Sequence, residues 1–244
     1  MGTKRENISK TSSSLLDCIS SLEVDAVGIV NSDKWRATRL EEQALKLLPS
    51  AHSLVVLAME IYPEVLDLAV PEHIMGRAPI TELLNRHIYY LGERLTKAAY
   101  DVARASRRAG FKALPLPSQD CPIDSRSLEA VLSYLDAAQA AGLGHVGMNG
   151  LLVSLQFGPR IQFAVCLTEA VLPSTAEVPV ACRSCNTCVS KCPSGALSWP
   201  ENDEPYVFNK LTCQAYQNAT GGCFECMRQC PVQSPIYHSW GVSS

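Results

Sequence analysis

The sequence lacks the features that mark membrane-spanning, secreted and nucleic-acid-binding proteins. Its 244 residues contain no apolar run of the roughly 18 residues that a membrane-spanning helix needs. The N-terminal residues include neither an apolar signal core nor a twin-arginine pair. The net charge is −3, which gives no electrostatic basis for binding nucleic acid. We therefore predict a cytoplasmic protein with no membrane partner and no nucleic-acid partner, and its oligomeric state stays open.

The composition and the pattern of apolar residues predict a mixed α/β protein. Charged residues make up 18% of the chain and apolar residues 47%, as in ordinary globular proteins. Short apolar runs typical of buried strands occur at 24–30, 53–59, 111–117 and 161–168, and helical patterns separate them. This alternation predicts a layered α/β (α+β) domain over residues 1–175. Residues 173–179, which begin and end with proline, are predicted to link it to a small domain over residues 176–244.

Two amphipathic helices are predicted in the middle of the chain. From Ile80 to Ala105 apolar residues recur every three or four positions, and Gly110 ends this pattern. A second helix is predicted from Leu128 to Ala138, with an N-cap supplied by one of the polar residues just before it.

Eleven cysteines are present, and eight of them stand near the C-terminus at a recognisable spacing. The first run, C-x2-C-x2-C-x3-C-P, is the bacterial ferredoxin spacing, in which three cysteines hold one 4Fe-4S cluster and the fourth binds a second. A further group of four follows, and its last cysteine also precedes a proline. The predicted ligands of the first cluster are Cys182, Cys185, Cys188 and Cys230, and those of the second are Cys192, Cys213, Cys223 and Cys226.

Other uses of these thiols are less favoured by the pattern. C-x2-C pairs also hold zinc, but the crossed runs are far more specific for iron–sulfur clusters. Disulfides suit short secreted chains, and this sequence shows no signal for secretion. Cys18, Cys121 and Cys166 remain outside the predicted ligand sets.

A glycine-rich stretch precedes the cysteine runs. Residues 142–150 contain four glycines in nine positions, directly after the second predicted helix. A dinucleotide-binding fingerprint would instead follow a strand and open a helix. We interpret these glycines as allowing the backbone to approach a flat cofactor closely.

The order of these motifs resembles a known group of proteins. The stretch A-G-L-G-H-V-G-M-N-G-L-L-V at 141–153 is followed by F-G-P-R at 157–160 and then by the paired cysteine runs. This order is similar to that of the epoxyqueuosine reductases and reductive dehalogenases. The short spacing between Cys213 and Cys223 looks more like the dehalogenases. The acidic V-D-T-x-P setting of epoxyqueuosine reductases is absent, and Leu128 occupies that position.

The resemblance implies a fold, two kinds of cofactor and a function. Proteins of this group have a nitroreductase-like α/β domain that holds a corrinoid, followed by a ferredoxin-like module with two 4Fe-4S clusters. Carried over by position, the residues expected to lie against the cobalamin are Gly144, Gly147, Asn149, Gly150, Phe157, Gly158 and Arg160. The implied function is that of an oxidoreductase that passes low-potential electrons through the clusters to the cobalamin, in an anaerobic setting.

The substrate chemistry stays open at this stage. Tyr89, Tyr90 and His145 are candidate catalytic proton donors, although exposed tyrosines and a hydrogen-bonded structural histidine are the plainer interpretation. The expected partner is a low-potential electron donor such as ferredoxin or flavodoxin. The alternative function is an electron-transfer protein, or an activase that reduces the corrinoid of a partner protein and has no substrate of its own. A flavin in the α/β domain ranks last, because no flavin-specific motif is present.

Overall fold

The computed structural model describes residues 14–68, 78–119, 122–124, 126, 129–182, 185–199 and 207–232. Cys121 and Leu128 lie outside these residues. The chain forms two compact units, and neither is continuous along the sequence. The sheet unit takes its described residues from 14–59, 90–143 and 162–177. The cysteine unit takes its described residues from 60–89, 144–161 and 178–232.

The sheet unit contains the larger strands and the greater part of the longest helix. After a helix α1 at 14–20, its elements follow in chain order. They are β1 (Ala26–Asn31), α2 (Ser32–Trp35), α3 (Arg39–Leu47), β2 (Ser53–Glu60), β3 (Ala113–Leu116), β4 (Ile123–Asp124), β5 (Glu129–Ala130), α6 (Tyr134–Ala140) and β8 (Ile161–Thr168). The long helix α5 (Ala78–Arg108) belongs to this unit from residue 90 onward.

One four-stranded sheet in the order β1-β2-β8-β3 forms the centre of the sheet unit. Strands β1 and β2 are antiparallel, with Ala26 opposite Ala58, and β3 and β8 are antiparallel, with Leu116 opposite Val165. All eight residues of β2 are buried, which accounts for its continuous apolar run. The predicted strands and the predicted mixed α/β class are therefore confirmed.

Helix packing on this sheet follows the predicted apolar stripe. In the sheet unit, Leu91, Leu95 and Val102 of α5 are buried. The helix ends at Arg108, and Gly110 follows it with a φ of +87° that lets the chain reverse while its N–H donates to the Arg107 carbonyl at 3.1 Å. Gly28 of β1 allows α6 to pack closely, because a Cβ there would lie 2.6 Å from the Ala141 carbonyl oxygen.

The prediction that a helix begins at residue 128 is wrong. Glu129–Ala130 forms a short strand paired with Ile123–Asp124, and α6 begins only at Tyr134. The physical reason is a cap that lies inside the predicted helix, since the Ser133 hydroxyl accepts a hydrogen bond from the Asp136 N–H.

The predicted linker after β8 has a defined place at the sheet edge. Thr175 exchanges hydrogen bonds of 2.8 Å with the backbone of Ile29, and the Ser174 hydroxyl accepts one from the Asn31 N–H. Residues 174–175 therefore satisfy backbone groups of β1 that have no strand beside them in the order of the sheet.

The cysteine unit is built from short elements joined by turns. They are α4 (Pro63–Asp67), residues 78–89 of α5, β6 (His145–Val146), β7 (Leu152–Val153), α7 (Thr187–Ser190), β9 (Leu197–Ser198), β10 (Val207–Phe208), α8 (Lys210–Thr220) and α9 (Glu225–Arg228). Two antiparallel ladders, β6 with β7 and β9 with β10, hold its loops. Among the helices within the described ranges, none combines the length and the apolar character needed to cross a bilayer.

Candidate metal centre

Two single-turn helices bring the two cysteine runs together in the cysteine unit. Helix α7 carries Cys188 and begins after Asn186, which has a left-handed φ of +66°. Helix α9 carries Cys226, and the two turns contact each other. Each turn ends two residues before the last cysteine of its run, and the following proline has no N–H with which to extend it. Both prolines therefore stand where each helical turn ends.

The first predicted quartet of cysteines lines one cavity. The volume of this cavity is about 430 Å³, and its wall mixes thiols with apolar side chains. The described lining residues are Met148, Asn149, Val153, Leu155, Val180, Ala181, Cys182, Cys185, Asn186, Cys188, Cys230, Pro231 and Val232. All four cysteines predicted to bind the first cluster are among them.

The second predicted quartet lines another cavity, of about 190 Å³. Around its thiols stand mainly apolar and aromatic side chains. The described lining residues are Asn149, Leu151, Cys192, Pro193, Ser194, Ala196, Leu197, Phe208, Cys213, Tyr216, Gln217, Gly222, Cys223, Phe224, Cys226 and Met227. Asn149 lines both cavities. Cys192 lines the cavity of the second quartet, where the crossed spacing predicts it.

Two side chains of the unit form hydrogen bonds with sulfur atoms of the second quartet. The Gln217 amide donates to the Cys213 Sγ at 3.4 Å, and the Ser194 hydroxyl lies 3.4 Å from the Cys192 Sγ. We did not predict either residue from the sequence. The available signal is local, since Gln217 lies one helical turn after Cys213 on α8, and Ser194 is two residues after Cys192.

The raised pKa values of two thiols reflect their burial and the other cysteines near them. Burial, together with smaller contributions from the charges of Cys223 and Cys213, raises the pKa of Cys226 to about 12. Burial also raises the pKa of Cys188, with smaller contributions from Cys182, Cys185 and Cys230. Cys188 and Cys226 therefore lie within electrostatic range of other members of their quartets, and metal ions that replace the thiol protons would relieve this repulsion.

The glycine-rich stretch lies against the protein's own chain. A Cβ on Gly144 would lie 2.5 Å from the Val153 carbonyl oxygen, and one on Gly150 would lie 2.8 Å from the Phe208 ring. A Cβ on Gly147 would lie 3.3 Å from the Cys182 Sγ. The missing side chain at Gly147 thus lets the loop pass next to a cysteine of the first quartet.

The remaining residues carried over from the resemblance are also packed inside the cysteine unit. Asn149, Phe157 and Arg160 are 3–4% exposed. A Cβ on Gly158, which has a φ of +58°, would collide with the Val232 carbonyl oxygen. As they stand, these residues do not present an open face to a flat cofactor, and their predicted contact with a corrinoid stays a prediction.

The candidate proton donors occupy different surroundings. Tyr89 and Tyr90 are 57% and 60% exposed, and Arg94 lies 5.9 Å from the centre of the Tyr90 ring. The Nε2 of His145 donates a hydrogen bond of 2.7 Å to the Val178 carbonyl, because a carbonyl can only accept. That bond favours the structural interpretation of His145, and the catalytic role of all three residues stays a prediction.

A site for a single metal ion needs three or four ligand atoms that all lie at bonding distance from one position. Among the described residues, no group of three or more His, Cys, Asp or Glu side chains has such a geometry.

Comparison with known proteins supports the resemblance that the motifs indicated. No protein-family model matches the chain. A tetrachloroethene reductive dehalogenase of Desulfitobacterium hafniense is 34% identical over 128 residues, which cover 51% of this chain and 21% of that protein. An epoxyqueuosine reductase of Gloeobacter violaceus is 37% identical over 79 residues, which cover 32% of this chain and 23% of that protein. The epoxyqueuosine reductase of Bacillus subtilis matches 88% of this chain at 24% identity.

Solved structures of the same two groups share the fold. The catabolic reductive dehalogenase NpRdhA superposes with a TM-score of 0.61 at 19% identity, over 89% of this chain and 31% of that one. The epoxyqueuosine reductase from Bacillus subtilis superposes with a TM-score of 0.57 at 18% identity, over 93% of this chain and 66% of that one. This chain spans about a fifth of the length of the curated dehalogenase. In sequence and in fold, the chain is similar to reductive dehalogenases and epoxyqueuosine reductases, both of which are oxidoreductases.

Proposed function

We propose that the chain is an iron–sulfur oxidoreductase in which each cysteine quartet holds one 4Fe-4S cluster. Low-potential electrons would pass through the two clusters to a cobalamin. The observation that carries the proposal is the placement of two complete quartets around two cavities of one compact unit. Four thiolates around a cavity are the ligand set of such a cluster.

The size of the two cavities favours clusters over single metal ions. At about 430 and 190 Å³, both exceed the roughly 30 Å³ that a water molecule occupies in the liquid. A structural zinc ion would instead draw four thiolates to about 2.3 Å from one point. The apolar walls also fit a cluster, because limited access of water lowers the dielectric around it and helps to set its potential.

The protein groups between the two cavities support electron transfer from one cluster to the other. The buried Asn149 side chain lines both cavities and donates to the Cys226 carbonyl at 3.4 Å. The contact between α7 and α9 places Cys188 of one quartet beside Cys226 of the other, and the charge of Cys188 contributes to the raised pKa of Cys226. When bound, 4Fe-4S clusters supply reversible one-electron chemistry. The chain's own contribution is to hold the two sites next to each other.

Cobalamin as the electron acceptor is supported by the solved relatives. One solved dehalogenase structure, with a TM-score of 0.61, is described as suggesting a mechanism for B12-dependent dehalogenation. In this chain the glycine-rich stretch, which is expected to contact the corrinoid, passes next to Cys182 of the first quartet. A ferredoxin or flavodoxin would supply the electrons.

Metal analysis of single-cysteine variants tests the clusters. The protein purified under anaerobic conditions should contain about eight iron and eight sulfide per chain. Cys188→Ala and Cys223→Ala each remove a ligand of one quartet and should lower the iron content by about half. Cys18→Ala is the matched control, since Cys18 is a half-buried cysteine outside both quartets. Stoichiometric zinc without iron, or equal iron in all three variants, would refute the proposal.

Reconstitution tests the cobalamin. The anaerobic protein is mixed with cobalamin, separated by gel filtration and examined by its absorption spectrum. Cobalamin that elutes with the protein and changes its spectrum on reduction supports the proposed function. Full iron content with no retained cobalamin would instead favour the electron carrier or activase.

A further inference from the structure

Arg160 stands at the end of the F-G-P-R turn and is directed at the loop that carries Cys230. Its side chain is buried, with the residue 3% exposed. The guanidinium donates through Nη2 to the Val232 carbonyl at 2.8 Å and through Nη1 to the Met227 carbonyl at 3.3 Å. These two carbonyls flank Cys230 on either side along the chain.

A rigid backbone supports this position of Arg160. Ser154 and Gly158 exchange two backbone hydrogen bonds of 2.9 and 3.0 Å, and the Arg160 N–H bonds the Phe157 carbonyl at 3.2 Å. Gly158 allows the turn to meet the Val232 carbonyl directly, since no side chain could fit between them. The turn and the Cys230 loop are therefore held together by contacts from both backbone and side chain.

We propose that Arg160 is a positioning residue for the first cysteine quartet, and that its buried charge raises the reduction potential of the cluster held there. The inference rests on the proposed function, because it presupposes that cluster. It assigns to Arg160 a role at the cysteines that differs from the corrinoid contact implied by the resemblance.

The sign of the effect follows from charge. A cluster becomes more negative when it is reduced, and a buried cation beside it stabilises the reduced form more than the oxidised form. Water screens this interaction little, because Arg160 is buried.

Arginine suits the role better than lysine would. Its planar fork can donate to two carbonyls in fixed directions, while a lysine ammonium is a point charge on a flexible stem. The fork and the charge can therefore be separated by substitution. Arg160→Lys keeps the charge and loses the fork, and Arg160→Gln loses the charge.

The test is a redox titration of the anaerobic protein, followed by electron paramagnetic resonance, together with the rate of iron release to a chelator. In Arg160→Gln, one of the two midpoint potentials should fall by at least 59 mV, which is a tenfold change in a one-electron equilibrium. Arg160→Lys should keep that midpoint near the wild-type value but release iron several-fold faster. Arg86→Gln, which removes an exposed arginine of the same unit, should change neither quantity.

The outcomes separate this inference from the proposed function. Wild-type protein without iron overturns both. Full iron content with unchanged midpoints in Arg160→Gln overturns the inference alone. If Arg160→Gln retains no iron, the Arg160→Lys variant decides the question. Retained iron and a wild-type midpoint potential in Arg160→Lys would support the role of the charge. Loss of iron from Arg160→Lys as well would overturn that role.

Discussion

Replacing Gly158 with alanine should disturb the first cysteine quartet at a distance. Gly158 has a φ of +58°, and a Cβ there would collide with the Val232 carbonyl oxygen. That carbonyl accepts the 2.8 Å hydrogen bond from Arg160, and Val232 lines the cavity of the first quartet. To admit the methyl group, the Cys230 loop has to move away from the turn.

The expected cost has two parts. An alanine in the left-handed region costs about 1–2 kcal/mol. Forcing a methyl group into a packed contact costs about 1–3 kcal/mol more. The sum is about 2–5 kcal/mol, a large share of the stability of an ordinary domain. Displacement of Val232 should also loosen Cys230 as a ligand, so iron should be lost from one of the two sites.

Gly110→Ala is the matched control. Gly110 also has a positive φ, of +87°, but a Cβ there would meet no atom within 4 Å. This variant should therefore show only the conformational cost of about 1–2 kcal/mol and keep its iron. The assay is urea unfolding under anaerobic conditions, with iron counted per chain before unfolding. Equal destabilisation in both variants, with full iron in each, would refute the reasoning.

Three further outcomes follow from single side chains. Burial raises the pKa of the Cys166 thiol from 9.0 to about 12. The thiol therefore makes its full contribution to the free energy of unfolding below pH 9, and this contribution is lost as the pH rises toward 12. Cys166→Ala should therefore lose less stability than the wild type between about pH 9 and pH 11 in urea unfolding. His145→Ala leaves the Val178 carbonyl without its 2.7 Å partner and should cost about 1–3 kcal/mol in the same assay, which His145→Gln should partly restore. Tyr90→Phe keeps the aromatic ring that Arg94 approaches. This variant should change the free energy of unfolding by no more than about 0.5 kcal/mol.

Local patterns predicted much of the sheet unit. The buried run at 53–59 became β2, because a strand covered on both faces shows no alternation of polar residues. The stripe from Ile80 became α5 for the same kind of local reason, since its period matches the helix. The start of α6 was missed because Ser133, a good N-cap, stands within an otherwise continuous apolar pattern.

The contacts of two buried polar residues depended on distant parts of the chain. From the sequence, Asn149 and Arg160 were expected to lie against a corrinoid. In the structure they donate to carbonyls at residues 226, 227 and 232, more than 60 positions away. No local periodicity reports such contacts, because they arise only when the turn at 157–160 packs on the Cys230 loop.

By itself, the sequence predicted which cysteines share a site. The spacing of the two runs assigned Cys230 to the first quartet and Cys192 to the second. In the structure, Cys230 lines the cavity of the first quartet and Cys192 lines that of the second. Such spacing is informative because short helical turns between cysteines fix where neighbouring thiols point. Only the tertiary structure decided what surrounds the quartets: a buried amide between the two cavities, and a buried guanidinium beside Cys230. These contacts depend on how separate loops pack, and packing is a property of the folded chain as a whole.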